Sequence, residues 1–304
     1  MSNDKHLIVI AGPTASGKTA TAIEIAQAFD TVVISADSRQ FYKEIPIGTA
    51  APTKEELSKV KHYMVGNLSI EDKYDVADYE RDVISLLKDL FKVHDTVVLT
   101  GGSGLFIDAV CNGIDVIPDI SPEIRQNIGN MLVENGLSFL QDEVKRIDPE
   151  YYAIVDKMNP RRLQRALEVY YQTGRPLSAF RKNKRHLRDF NIIRIAILWE
   201  REALISRINR RVECMMAAGL VDEAKKMYQK RHLNSLNTVG YKELFEYFDG
   251  ITTIEQAVEK IKVNTRQYAK RQMTWLRKNN DYQWFEPNDV DAMKKFIIDS
   301  ISIK

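Results

Sequence analysis

His6-Leu-Ile-Val-Ile-Ala-Gly-Pro-Thr-Ala-Ser-Gly-Lys-Thr19 is the stretch on which the fold turns. Its first six residues are a short apolar run without helical period, which reads as a fully buried strand. The next eight, Gly12–Thr19, match G-x-x-x-x-G-K-[ST], and from Gly17 to Phe29 apolar residues recur at helical spacing. A strand, this motif and a helix, in that order, are the context a phosphate-binding loop requires. Glycines let backbone N–H groups turn inward around phosphate oxygens, and the helix N-terminus adds about half a positive charge. The cradle is therefore expected from Gly12, Pro13, Thr14, Ala15, Ser16 and Gly17. Lys18 is expected to reach a terminal phosphate, and the Thr19 hydroxyl to ligate Mg²⁺. The motif specifies a di- or triphosphate and no more. It fits an ATPase, a kinase, or a transferase whose leaving group is diphosphate.

Working outward, short apolar runs alternate with helical patterns. Thr31–Ser35 and Thr96–Thr100 read as further strands and Ala77–Phe91 as an amphipathic helix; Asn191–Trp199 reads as a late strand. Such alternation signals an α/β fold with a parallel sheet. Helices are expected at 122–135, 137–146, 150–155 and 160–174, then at 203–218, 221–231, 242–248 and 254–278, with nothing but helix after Trp199. The expected architecture is a P-loop NTPase-like parallel sheet with flanking helices, an inserted helical lobe and a helical C-terminal region. Residues 1–114 and 191–304 would form the core, and residues 115–190 the lobe.

At the carboxyl end of the second strand stands Ser35-Ala36-Asp37-Ser38-Arg39-Gln40. Ligand sites of open α/β sheets lie outside the carboxyl ends of strands, which puts Asp37 beside the phosphate loop. It fits a Mg²⁺ ligand, a general base, or a turn aspartate. Gly101-Gly102-Ser103-Gly104 ends the next strand and fits either a backbone N–H nest with a hydroxyl or a plain strand-to-helix turn.

Of the 304 residues, 44% are apolar and 28% charged, which excludes a disordered chain. No run of 18 apolar residues occurs, so no membrane-spanning helix is expected, and the first apolar run is a strand rather than a leader. Two cysteines, Cys111 and Cys214, point to a reducing cytoplasm and to buried apolar positions. The five histidines show no metal-ligand spacing. The net charge of +2 hides an asymmetry: residues 1–160 carry 15 basic against 25 acidic residues, and residues 161–304 carry 29 against 17. Nine basic residues lie between Arg161 and Arg188, and seven between Glu259 and Lys278 with Tyr268 and Trp275 interleaved. Such runs are usually solvated helix faces, but two in one half also suit an RNA, whose phosphates they would neutralise and whose bases they would stack. Arg207, Arg210 and Arg211 form a third cluster, suited to leaving-group charge or to surface ion pairs.

Seven stretches together resemble the bacterial tRNA dimethylallyltransferase (isopentenyl-tRNA transferase) family: GPTASGKT at 12–19, ISADSRQFYKEIPIGTAAPT at 34–53, TGGSGLFI at 100–107, NPRRLQRALEVY at 159–170, RINRRVECMMAAGLVDE at 207–223, NTVGYKE at 237–243 and RQYAKRQMTWLR at 266–277. The resemblance implies transfer of a dimethylallyl group from dimethylallyl diphosphate to N6 of the adenine 3′ of the anticodon, in tRNAs reading codons that begin with U. It implies that the loop holds the donor's diphosphate, that Asp37 is the general base, and that Arg211 meets the diphosphate. Ser103 stands where members usually have threonine; both keep a hydroxyl, so the resemblance implies that Ser103 belongs to the catalytic set and contacts the acceptor nucleotide. Asp37, Ser38, Arg39 and Gln40 match the segment that reads the flipped adenine and its neighbours. Arg125, the segment Arg161, Arg162, Leu163, Gln164 and Arg165, and the segment with Asn237, Gly240, Tyr241 and Lys242 match other tRNA contacts. Members often carry Arg-Cys where this chain has Asn237-Thr238, arginine at Lys242, and glutamine at Arg161. No Cys/His pairs follow Trp284, so the zinc finger of eukaryotic members is expected to be absent. The implied partners are the tRNA anticodon stem-loop and the prenyl diphosphate, with Mg²⁺, in a cytoplasmic monomer. The competing readings are a prenyltransferase of free adenine nucleotides, a kinase or ATPase, and a non-catalytic RNA-binding module.

Overall fold

The structure, a computed structural model, describes residues 4–181 and 186–302. The chain divides into two compact units, Met1–Cys111 with Leu187–Lys304, and Asn112–His186. The expected boundaries lay three to four residues later, at 114/115 and 190/191.

In the first unit the strands are β1 (His6–Ala11), β2 (Val33–Ser35), β3 (His62–Tyr63), β4 (Thr96–Gly101), β5 (Asn191–Ile197) and β6 (Gln283–Phe285). They form one sheet in the order β3-β2-β4-β1-β5-β6, and every pairing is parallel. β1 is central and buried throughout. Leu7 and Val9 enter the core on one face, and Ile8 and Ile10 enter that on the other. This explains the continuous apolar run: a parallel strand covered on both faces has no polar side.

The helices of this unit are α1 (Lys18–Ala28), α2 (Lys54–Lys59), α3 (Val76–Leu90) and α4 (Gly104–Asn112, reaching the unit's edge), then, as numbered along the chain, α8 (Arg201–Ala217), α9 (Leu220–Met227), α10 (Tyr241–Phe248), α11 (Ile254–Leu276) and α12 (Val290–Ser302). α3 starts at a capping box, Asp75 with Asp78, and buries Tyr79, Val83, Leu87 and Leu90 at helical spacing. Among the described residues no helix is long and apolar enough to cross a membrane.

The second unit holds α5 (Pro122–Ile147), α6 (Pro149–Ile154) and α7 (Pro160–Thr173). Two helices were expected at 122–146. The structure runs them together but breaks the backbone at Gly136, with φ 77° and ψ −178°, a conformation reserved for glycine. Leu140, Val144, Leu163, Ala166, Leu167 and Val169 make this unit's core.

The expectation of helix alone after Trp199 fails at β6. The strand numbering also shifts, because β3 precedes the strand expected third. Helix α2 was not expected, and α4 and α12 were expected only without bounds of their own.

Candidate active site

Because all the strands are parallel, their carboxyl ends share one edge, and the loops leaving β1, β2 and β4 meet there. After β1, Gly12–Thr19 leads into α1, whose N-cap is Gly17 at φ 89°. The loop is held from behind at successive backbone groups. Arg207 Nε donates to the Ala15 carbonyl (2.8 Å) and its guanidinium lies over the Trp199 ring (4.3 Å). Trp199 Nε1 donates to the Ser16 carbonyl (2.9 Å). The Thr14 N–H donates to Gln272 Oε1 (2.8 Å). Lys18 Nζ folds back to the Pro13 carbonyl (2.7 Å), which uses one of its three N–H donors.

After β2, Asp37 Oδ1 accepts the Arg39 N–H (3.0 Å), the only hydrogen bond of its carboxylate among the described residues. The second oxygen accepts no hydrogen bond among the described residues. The Ser38 N–H donates to Ser103 Oγ (3.0 Å), and the two hydroxyls lie 3.2 Å apart. The β2 and β4 ends are thereby tied together. Gln40 is committed within the chain: its Oε1 accepts from Ser35 Oγ and its Nε2 donates to the carbonyl of Ala50 (3.0 Å each).

A cavity of about 540 Å³ opens over this edge. Thr14 to Ala20, Asp37, Gln40, Glu56, Arg207, Arg210, Arg211 and Gln272 are among its lining residues. A smaller cavity of about 110 Å³ adjoins it through shared Thr14, Asp37 and Arg211. Its remaining wall is mixed, with Val212, Met215, Leu220, Val239 and Ile261 as an apolar patch beside Arg39, Gly48, Thr49, Thr238, Gly240, Thr265 and Tyr268. Cys214, expected to be buried, is exposed on the wall of the larger cavity, because it lies on the solvent side of α8. Cys111 is buried as expected.

The electrostatics follow from burial among like charges. Desolvation and the Arg211 guanidinium lower the Lys18 ammonium to about 7, and the Asp37 carboxylate works against them. Arg211 is itself lowered by burial, with Asp37 again opposing. Two cations packed beside one carboxylate lack a counter-charge, which a diphosphate would supply. The oxygen donors Thr19, Asp37 and Glu56 on the larger cavity are the hard ligands Mg²⁺ prefers. Among the described residues no cluster of three or more His, Cys, Asp or Glu side chains forms a metal cage. The donor set therefore suits an ion shared with substrate phosphates rather than one held by protein alone.

The remaining residues divide by exposure. Arg125, Arg161 and Arg162 are exposed, Gln164 is half-buried, and Arg165 is half-buried and paired with Glu168 (3.6 Å). Asn237 and Lys242 are exposed. Two expectations are corrected. Leu163 is fully buried in the core of the helical unit, and Tyr241 is fully buried with its hydroxyl on Glu223 Oε1 (2.5 Å); neither side chain has surface for tRNA. Gly240 is buried too and offers only backbone. Of the basic run at 161–188, Lys182, Lys184 and Arg185 lie outside the described residues. Sequence reasoning missed Gln272, Trp199 and Glu56 as parts of the site.

The family model described as IPP transferase matches residues 40–279. The chain belongs to the IPP transferase family. It is 49% identical to the tRNA dimethylallyltransferase of Christiangramia forsetii, over all of this chain and 99% of that one. It is 50% identical to tRNA dimethylallyltransferase 1 of Phocaeicola vulgatus, over 96% and 97% of the two chains. A crystal structure of the full-length tRNA isopentenylpyrophosphate transferase from Bacillus halodurans is similar, with a TM-score of 0.72, 34% identity, and coverage of 98% and 97%. The P-loop NTPase-like sheet with flanking helices is thus the fold of this chain.

Proposed function

We propose that this chain transfers the dimethylallyl group of dimethylallyl diphosphate to N6 of the adenine 3′ of the anticodon, in tRNAs reading codons that begin with U. The observation that carries the reading is the presence of both Asp37 and Arg211 on the wall shared by two cavities, one lined by the phosphate loop and one with an apolar patch of Val212, Met215, Leu220, Val239 and Ile261. Family membership supplies the reaction class.

The adenine amine is a weak nucleophile because its lone pair is delocalised into the ring. As its nitrogen bonds to C1 of the dimethylallyl group, the C1–O bond breaks and the electron pair leaves with diphosphate. The N6 proton passes to the Asp37 carboxylate, whose Oδ1 is pinned by Arg39 N–H. Negative charge grows on the leaving oxygen, where loop amides, Lys18 and Arg211 stabilise it. Thr19 would hold Mg²⁺, which adds charge stabilisation to the diphosphate when bound. The target base is stacked in its loop and has to be extruded to reach Asp37. The exposed Arg125, Arg161 and Arg162 would grip the tRNA backbone, with Ser38, Arg39, Asn237 and Lys242 as further contacts. The reading keeps the chain a monomer, and its tRNA substrate places the work in the cytoplasm.

The test is incubation of the purified protein with dimethylallyl diphosphate and an anticodon stem-loop, followed by mass spectrometry of the nucleosides. N6-prenyl adenosine at one position is expected. Prenylation of free AMP instead would favour the nucleotide reading, and turnover of ATP with no prenyl transfer would favour a kinase or ATPase.

A further inference from the structure

One stripe of α11 carries Tyr268, Gln272 and Trp275, spaced i, i+4 and i+7 so that they share a face. All three reach the turn that follows β4. The Tyr268 phenol stands beside Ser103. Gln272 Nε2 donates to the Gly102 carbonyl at 2.9 Å. Trp275 Nε1 donates to Asp108 Oδ2 at 2.8 Å, and its ring lies so close to Gly104 that a Cβ there would come within 2.3 Å. Gln272 alone does a second thing: its Oε1 accepts the Thr14 N–H of the phosphate loop at 2.8 Å. Its side chain is 6% exposed, and both ends of its amide are used. A Cβ on Gly102 would meet Nε2 at 2.1 Å, so the amide lies flush against that backbone.

We propose that Gln272 is a positioning residue that locks the phosphate loop to the Ser103 turn and so sets both for prenyl transfer. The inference rests on the prenyl-transfer reading of the site. Three groups hold the loop from outside: Gln272 at the Thr14 N–H, Arg207 at the Ala15 carbonyl and Trp199 at the Ser16 carbonyl. Ala15 sits at φ 63°, a left-handed conformation that a non-glycine residue keeps only when its neighbours impose it. Arg207 and Trp199 act on the β5 side. Gln272 acts on the β4 side, and through Gly102 it fixes the loop relative to the hydroxyl of Ser103. A side chain with both polar ends bonded and no room to turn transmits position rather than charge.

The test compares wild type with Gln272→Leu, which removes both bonds, and with Gln272→Met, which keeps the length and removes both bonds. Inorganic pyrophosphate binding, the KM for dimethylallyl diphosphate, kcat and the affinity for an anticodon stem-loop are measured on the folded fraction, with melting as a separate readout. Pyrophosphate affinity is expected to fall and the donor KM to rise about ten- to a hundredfold, with kcat lowered and stem-loop affinity within about twofold. A purely structural glutamine would lower the melting temperature and the active fraction while leaving pyrophosphate affinity and KM at wild-type values, and that result overturns the proposal. Wild type alone gives a second test by amide hydrogen exchange. Pyrophosphate should slow exchange at 100–104 and 268–276 as well as at 12–19; protection confined to 12–19 overturns the lock. A wild-type protein that binds no pyrophosphate and transfers no prenyl group overturns the reading of the site together with this inference, whereas an active wild type with unaltered Leu and Met variants overturns the inference alone.

Discussion

Asp37 and Arg211 both line each of the two adjoining cavities, of about 540 and 110 Å³. The carboxylate and the guanidinium thus stand where a leaving diphosphate and an entering nucleophile would meet. Asp37→Ala is expected to lower kcat about 10²- to 10⁴-fold, the usual reach of a positioned general base. Stem-loop affinity should stay within a few-fold, because the carboxylate gives nothing to a phosphate backbone. Arg211→Ala should instead weaken donor use, lowering kcat/KM about 10²- to 10³-fold. Single-turnover rates at saturating stem-loop separate the two effects. An Asp37→Ala variant of near full activity would remove the base assignment.

Lys18 gives a pH dependence with a definite sign. In the folded protein its ammonium is lowered to about 7 from the ordinary value of 10.5, by burial first and by Arg211 second. Between those two values the unfolded chain binds more protons, so this group makes stability rise with pH across the window. Diphosphate binding runs the other way, because the bound anion favours the ammonium. Affinity for a non-reacting thiolodiphosphate analogue of the donor should be highest below about pH 7 and fall above it by up to about one log unit per pH unit. At pH 8, calorimetry in two buffers of different ionisation heat should show proton uptake on binding. Flat affinity with no uptake would mean that Lys18 does not meet the diphosphate.

The parts of the molecule visible in the sequence are those whose physics is local. The buried run Leu7–Ala11, the loop after it and the helical period behind it sit within two dozen residues, and α1, α3, α7 and α11 fall within about three residues of their expected ends. The short elements were not visible. β3 has two residues and β6 three, too few for a period of two, and α2 buries no residue at all. Asp37 was legible as a strand-end aspartate, and its role came from the family motif. Gln272 was not, because it meets Thr14 across 258 positions and a glutamine in a helix carries no local signal. Leu163 and Tyr241 err in the opposite sense. They lie inside motifs whose exposed members face outward, and a motif does not say which of its residues face the core.

Tyr241 supplies a test of that distinction. Its hydroxyl donates to Glu223 Oε1, and the same carboxylate accepts the N–H groups of Ile47 (2.9 Å) and Gly48 (2.8 Å). Burial and Glu223 raise the phenol far above its ordinary value, so it donates at every working pH. Tyr241→Phe leaves the buried carboxylate one donor short and should cost about 1–3 kcal/mol. The melting temperature should fall by several degrees while stem-loop affinity stays at the wild-type value. Loss of stem-loop affinity without a change in melting would return Tyr241 to the RNA surface.

The helical unit makes its prediction through salt. Arg161 and Arg162 are exposed on the first turn of α7, whereas Arg165 is paired with Glu168. Each exposed arginine that neutralises an RNA phosphate releases counterions, so log K for the stem-loop falls with log salt by about 0.7–0.9 per contact. Arg161→Gln with Arg162→Gln should therefore flatten that slope by about 1.5 units. Arg165→Gln with Glu168→Gln removes a charge pair that is already internally compensated, and it should leave the slope where it was. The two variants differ in net charge, so fluorescence anisotropy across a salt series distinguishes a specific grip from a general positive field. If the first variant keeps the wild-type slope, the unit's exposed arginines are a solvated helix face and the tRNA is held elsewhere. If the second variant alone flattens it, Arg165 opens its bond to Glu168 on meeting the RNA and is itself a phosphate contact.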